Sequence, residues 1–105
     1  MSALATNYRT LGNGAYGCIS GTSAATPVFA GMLSAINDRL ISDGKAPVGF
    51  INPAIYSAGS VGTDVTEGNN KQSGCPAGFG AATGYDAITG LGTPDFERLA
   101  TLLGA

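Results

Sequence analysis

Ser20, Gly21, Thr22 and Ser23 read SGTS and run directly into thirteen uncharged residues, Ala24 to Ile36. Hydroxyls at the mouth of an apolar helix have two uses. They cap it, accepting from first-turn N–H groups that otherwise lack partners. Alternatively one of them is a nucleophile, and the helix N-terminus aims its N–H dipoles where an oxyanion forms during acyl transfer. Glycine ahead of Thr22-Ser23 lets a substrate backbone come close, and strand, tight turn and helix is the setting in which nucleophilic serines are presented. Residue type leaves both uses open. A second group of chemistry-bearing residues is Asp64, Glu67 and Asp86, the carboxylates in a stretch rich in glycine, serine, threonine and asparagine. Calcium takes six to eight oxygens from carboxylates and backbone carbonyls, and glycine lets the chain wrap around the ion. EF-hand spacing is absent, and a solvated turn aspartate is the simpler reading of either aspartate.

The elements that must position these residues follow from pattern. Asn13-Gly14 lies between Tyr8-Arg9-Thr10-Leu11 and Ala15-Tyr16-Gly17-Cys18-Ile19. Asn-Gly favours a two-residue turn because both positions tolerate positive φ, so a short hairpin ending at Ile19 is expected. Ala25, Phe29, Met32 or Leu33, Ile36 and Leu40 recur at helical spacing. They predict a helix from Ala24 to Ser42, buried all round in its first half, with Phe29, Met32, Ile36 and Leu40 in the core. Pro27 falls in its first turn and Asp43-Gly44 stops it. Asn52-Pro53-Ala54-Ile55-Tyr56 reads as a cap followed by a proline-initiated helical turn. From 57 to 94 the apolar anchors are single residues, Val61, Val65, Phe79, Tyr85, Ile88 and Leu91. A loop of that length is uncommon unless functional or pinned by something other than a core. At the end Thr93 is expected to cap and Pro94 to open a helix whose apolar face is Phe96, Leu99, Ala100 and Leu103, before Gly104.

The length of 105 residues fits one modest domain or a piece of a larger one. Charged residues make up 11%, about half the usual share of about 25%. So few charges suggest a chain that buries most of its length, partly against something missing. The net charge is −2 and the five basic residues, Arg9, Arg39, Lys45, Lys71 and Arg98, are scattered, which argues against a nucleic-acid partner. No run approaches the roughly 20 residues of a membrane span, so no membrane partner is expected. MSALATNYRT carries neither a basic stretch nor an apolar core, so any secretory address is expected upstream. Two cysteines, Cys18 and Cys75, decide no compartment, and no bond between them is favoured.

SGTSAATPVFAG resembles the nucleophile segment, SGTSxxxP, of the sedolisin family of acid serine-carboxyl peptidases. GFINPAIYS, TDVTEGNN and ATGYDAITGLGTPDFERL are similar to that family's LNPxLY, DVTxG and GWDPxTGxGTP segments. They occur in the same order and span Ile19 to Leu103. GTSxxxP alone also suits subtilisins; the four segments together are specific. The resemblance implies an α/β fold, the C-terminal portion of a subtilisin-like catalytic domain. Residues 1–105 would be a single partial domain containing a hairpin, a buried central helix after the nucleophile turn, a calcium-binding loop region at 57–94 and a C-terminal helix. A mostly parallel sheet beside the central helix would be largely missing.

It further implies that Ser23, not Ser20, attacks the peptide carbonyl to form an acyl-enzyme while its own N–H helps to hold the oxyanion. The family's base is a glutamate oriented by an aspartate, and such a base works in acid, where histidine is protonated; the chain contains no histidine. That glutamate and the family's two aspartates belong to segments N-terminal to SGTS, so no residue here inherits those roles. Catalysis by the isolated chain is not expected. One Ca²⁺ is implied, held by the carboxylates of Asp64 and Asp86 and the carbonyls of Val65, Gly84 and Ala82. Ala82 stands where the family has glycine and is the least secure of the five. Tyr85 replaces a usual tryptophan and is expected to pack beneath the loop. The implied partners are a peptide or protein substrate and the missing N-terminal part of the domain; the implied location is secreted, lysosomal or vacuolar. Two alternatives stand beside this: a non-enzymatic calcium-stabilised module or relic, and a subtilisin-type peptidase fragment.

Overall fold

A computed structural model describes residues 1–72 and 77–105; Cys75, and with it the question of a bond to Cys18, lies outside the described residues. The chain opens with an antiparallel hairpin, β1 (Tyr8–Gly12) and β2 (Ala15–Ile19), paired Tyr8 to Ile19 through Gly12 to Ala15. Asn13 and Gly14 make the turn with φ of 49° and 76°, the doubly positive geometry that matches strand twist. Helix α1 (Thr22–Ser42) follows, then α2 (Asn52–Ala58), then strand β3 (Gly62–Thr63). A long loop leads to β4 (Thr93–Pro94), which pairs antiparallel with β3, and α3 (Phe96–Leu103) ends the chain. Among the described residues the result is a small α/β arrangement of three helices and two two-stranded antiparallel sheets.

The core gathers on α3. Leu99 and Ala100, at 0% and 1% exposure, meet Ile36 and Leu40 of α1, Ile55 of α2, Ile51 and Val61. Phe96 and Leu103, the other two members of the expected face, pack half-buried against that cluster. The connector from α1 to α2 is drawn in where Asn37 Oδ1 accepts from the Val48 N–H at 2.8 Å. Arg39 and Glu97 join α1 to α3 at the surface, 3.1 Å apart.

Several expectations are corrected. Helix α1 begins at Thr22 rather than Ala24, because the Gly21 carbonyl already accepts from Ala24 and Ala25. Its first half is not buried all round: Thr22, Ser23, Thr26, Pro27, Ala30 and Gly31 are exposed, and Phe29 and Met32 are only half-buried. Every residue of β2 is exposed, so the hairpin provides no cover for that half. The accessible surface of 6860 Å² exceeds by about 1,500 Å² the roughly 5,400 Å² of a compact protein of this mass. Asn52 lies inside α2, whose N-cap is Ile51 with no side-chain cap bond. Thr93 and Pro94 form β4 instead of opening α3; the cap is Asp95, whose Oδ1 accepts from the Arg98 N–H at 2.9 Å. Of the loop anchors, Val61 is buried, but Phe79 and Tyr85 are 59% and 65% exposed.

The β3–β4 pairing brings two arms of backbone unusually close. A Cβ on Gly62 would overlap the Thr93 carbonyl, and one on Gly92 would overlap the Thr63 carbonyl. Glycine at both positions lets the arms touch, and the touch places Asp64 immediately after β3.

Candidate functional site

Ser23 is the second residue of α1 and is exposed. Two bonds fix the turn before it: the Gly21 N–H donates to the Ala5 carbonyl at 2.6 Å, and the Asn7 N–H donates to Ser20 Oγ at 3.1 Å. The hydroxyl of Ser20 is therefore occupied with holding the turn. No side chain caps α1 and no acidic residue lies in its first turn. Among the described residues, the N–H groups of Thr22 and Ser23 have no acceptor. The helix N-terminus thus offers an uncompensated positive end beside the Ser23 hydroxyl. Pro27 adds to the local polarity, since it has no N–H to donate to the Ser23 carbonyl one helical turn back. An apolar-lined cleft of about 310 Å³, bordered by Thr22, Ala25, Thr26 and Phe29 on α1 and by Met1, Ser2, Ala3 and Ala5, adjoins this turn.

The second candidate site is built on one three-residue arm, Ala82-Thr83-Gly84. Gly84 donates its N–H to Asp64 Oδ2 at 2.7 Å, and Ala82 donates to Asp86 Oδ2 at 3.4 Å. Asp64 therefore grips this arm at Gly84, and Asp86 lies against its other end through the longer contact at Ala82. Asp86 is 5% exposed, and its Oδ1 accepts from the Ile88 and Thr89 N–H groups at 2.9 and 2.7 Å. The Thr89 hydroxyl donates to Oδ2 at 3.0 Å. These bonds, the Thr89 amide foremost, hold the Asp86 carboxyl below its ordinary pKa against the opposing effect of burial.

Asp64 Oδ1 is buried and has no hydrogen-bond partner among the described residues, beside a cavity of about 200 Å³ bordered by Ser60, Asp64, Thr83, Gly84 and Leu91. The carbonyls of Val65, Ala82 and Gly84 accept no hydrogen bond among the described residues. An orphaned carboxylate oxygen with uncommitted carbonyls nearby suits a hard, oxygen-ligated cation. Asp86 suits it less, because four donors already address its oxygens; its free capacity is at Oδ2, where the contact with Ala82 is longest. Among the described residues no three His, Cys, Asp or Glu side chains cluster as metal ligands, so carbonyls and water would have to supply the remaining ligands.

No family model matches the chain. It is 45% identical over 102 residues, 97% of its length, to tripeptidyl-peptidase sed1 of Aspergillus fumigatus. It is 44% identical over 96 residues, 91% of its length, to aorsin of Aspergillus oryzae, and 46% identical over 88 residues, 77% of its length, to tripeptidyl-peptidase 1 of Mus musculus. The chain belongs to the sedolisin family. It spans only 15 to 16% of the length of these three relatives.

Within this sedolisin segment no described carboxylate is bonded to Ser23. Glu97 pairs with Arg39, sixteen residues further along α1 and so about 24 Å from Ser23 by helical rise. Glu67 is exposed in the loop. The segment does link its two candidate sites. Residues 2–5 are tied at one end by the Ser2 N–H to the Gly92 carbonyl at 3.0 Å, and at the other by Ala5 to Gly21. Tyr85 does not pack beneath the loop; it stands out from it, its ring 6.3 Å from that of Tyr56. No sequence motif named above singles out Thr89, although an aspartate followed three residues later by threonine is a recognisable local turn pattern.

Proposed function

We propose that this chain is the C-terminal part of the catalytic domain of an acid-acting serine-carboxyl peptidase, and that Ser23 is its nucleophile. The observation that carries the reading is the exposed Ser23 hydroxyl at the uncapped start of a 21-residue helix, next to two unengaged backbone N–H groups. In that position the hydroxyl adds to a peptide carbonyl, the amine leaves, and water then releases the acyl group from Ser23. The Ser23 N–H faces the charge that develops on the carbonyl oxygen, with the helix dipole behind it. The proton acceptor is a carboxylate from the N-terminal part of the domain, which also supplies the parallel sheet of a subtilisin-like fold against the open half of α1. Without that part the chain does not hydrolyse peptides.

One calcium ion belongs to the loop, held by Asp64 and Asp86 with the carbonyls of Val65, Gly84 and Ala82. Its contribution is to fix charge and backbone in a segment that has almost no core of its own. The orphaned Asp64 Oδ1 supports this. Substrates are peptides or proteins, and an acid-acting enzyme fits a secreted, lysosomal or vacuolar location. The test is hydrolysis of a peptide panel at acid pH by the full-length protein, its Ser23→Ala variant and the 105-residue chain. Activity is expected only in the unaltered full-length protein. Full activity in Ser23→Ala would refute the assignment.

A further inference from the structure

We propose that Thr89 is a positioning residue of the ion loop: its hydroxyl aims Asp86 Oδ2 at the Ala82–Gly84 arm and so sets the loop's affinity for calcium. This rests on the calcium reading above and extends it to a residue that supplies no ligand. Thr89 is only 9% exposed, and a buried hydroxyl is costly unless it is bonded. Its partner is a single carboxylate oxygen at 3.0 Å. It is the one side-chain donor to Asp86 among the described residues.

The turn itself does not need that hydroxyl. Backbone groups close it: Asp86 and Gly90 exchange N–H to carbonyl bonds at 3.1 and 3.0 Å, and the Gly92 N–H donates to the Thr89 carbonyl at 3.2 Å. Asp86 Oδ1 is likewise held by the amides of residues 88 and 89, which almost any side chains at those positions would leave in place. Only the torsion of the carboxylate is left to the side chain of residue 89. The remaining contact on Oδ2, from the Ala82 N–H at 3.4 Å, is too long to fix it. Asp64 grips the same arm through Gly84 at 2.7 Å, so the two carboxylates face one ion only while Oδ2 stays turned toward residue 82. Groups that orient a ligating carboxylate are worth about 10–100-fold in metal affinity.

The experiment is calcium titration calorimetry of the full chain and of Thr89→Val and Thr89→Ser, with melting temperatures in calcium and in chelator. Thr89→Val keeps the shape and loses the hydroxyl; Thr89→Ser keeps the hydroxyl. Calcium Kd is expected to weaken about 10–100-fold in Thr89→Val and to stay within about threefold in Thr89→Ser, and the melting temperature of Thr89→Val is expected to fall further in calcium than in chelator. Unaltered calcium affinity in Thr89→Val, with equal melting losses in calcium and in chelator, would make the hydroxyl purely structural and overturn the proposal while leaving the calcium site standing. Failure of Thr89→Val to fold at any calcium concentration would overturn it in the same way. If Thr89→Val folds only with calcium, the midpoint of calcium-induced folding should shift by the same factor. Absence of calcium binding by the unaltered chain would remove the site and this role together.

Discussion

Replacing Gly92 by alanine tests whether the loop is delivered to its place by the close approach of β3 and β4. Two effects should add. Gly92 has φ of +81°, where a side chain costs about 1–2 kcal/mol. Its new Cβ would also overlap the Thr63 carbonyl and lie 2.8 Å from Asp64 Cα, so the arms must part. Parting them strains the bonds that Gly92 anchors, from its own N–H to Thr89 and from the Ser2 N–H to its carbonyl. At about 1 kcal/mol net for each hydrogen bond, losing both adds about 2 kcal/mol, for a total of about 3–4 kcal/mol. Gly59 is the control: its φ is +73° and a Cβ there meets nothing within 4 Å. Gly59→Ala should therefore cost only the backbone part, about 1–2 kcal/mol. Urea unfolding followed by far-ultraviolet circular dichroism would measure both. Equal losses in the two variants would refute the idea that the strand contact, rather than backbone conformation alone, makes Gly92 necessary.

Other consequences are as direct. Leu99→Ala empties the fully buried position where α1, α2 and α3 meet and should cost about 2–5 kcal/mol by the same urea assay; a loss under 1 kcal/mol would contradict the core assignment. Asp95→Ala removes the α3 cap and should cost about 1 kcal/mol, whereas Thr93→Ala should leave helix capping untouched; melting curves of the pair decide it. Because the Asp86 carboxyl is held below its ordinary pKa, its contribution to stability is present above the usual carboxylate value and is lost only as pH falls through the lowered one. The contacts of Asp86 should thus persist to lower pH than those of an ordinary aspartate. Asp86→Asn should remove that acid dependence from the stability profile, and an unchanged profile would contradict it.

Much of the fold could be read from short-range pattern. Asn13-Gly14 specified its hairpin by turn chemistry, and the spacing of Ile36, Leu40, Leu99 and Ala100 identified residues that do lie at the centre. Long-range contacts were hidden. Thr93 looked like a cap because nothing local reveals that β4 pairs with β3, thirty residues earlier; that pairing moves the cap to Asp95. Apolarity in the first half of α1 signalled a need for cover, not its presence, and the described residues leave that half open. Phe79 and Tyr85 stand alone among glycines, where no periodicity indicates which way a ring turns. Of the candidate sites, the sequence motif singles out Ser23 and the two aspartates. It could not show that Asp64 and Asp86 meet one arm, since Gly84 bonds to Asp64 across twenty residues. Among the described residues no carboxylate is bonded to Ser23.

The most direct test of the central claim is to trap the acyl group. The full-length protein, quenched during turnover of a slow ester substrate at acid pH, would be digested and mapped by tandem mass spectrometry. The account requires the substrate's acyl mass on Ser23, with none in Ser23→Ala. An adduct on Ser20, or turnover that survives Ser23→Ala with no adduct anywhere in this segment, would contradict it.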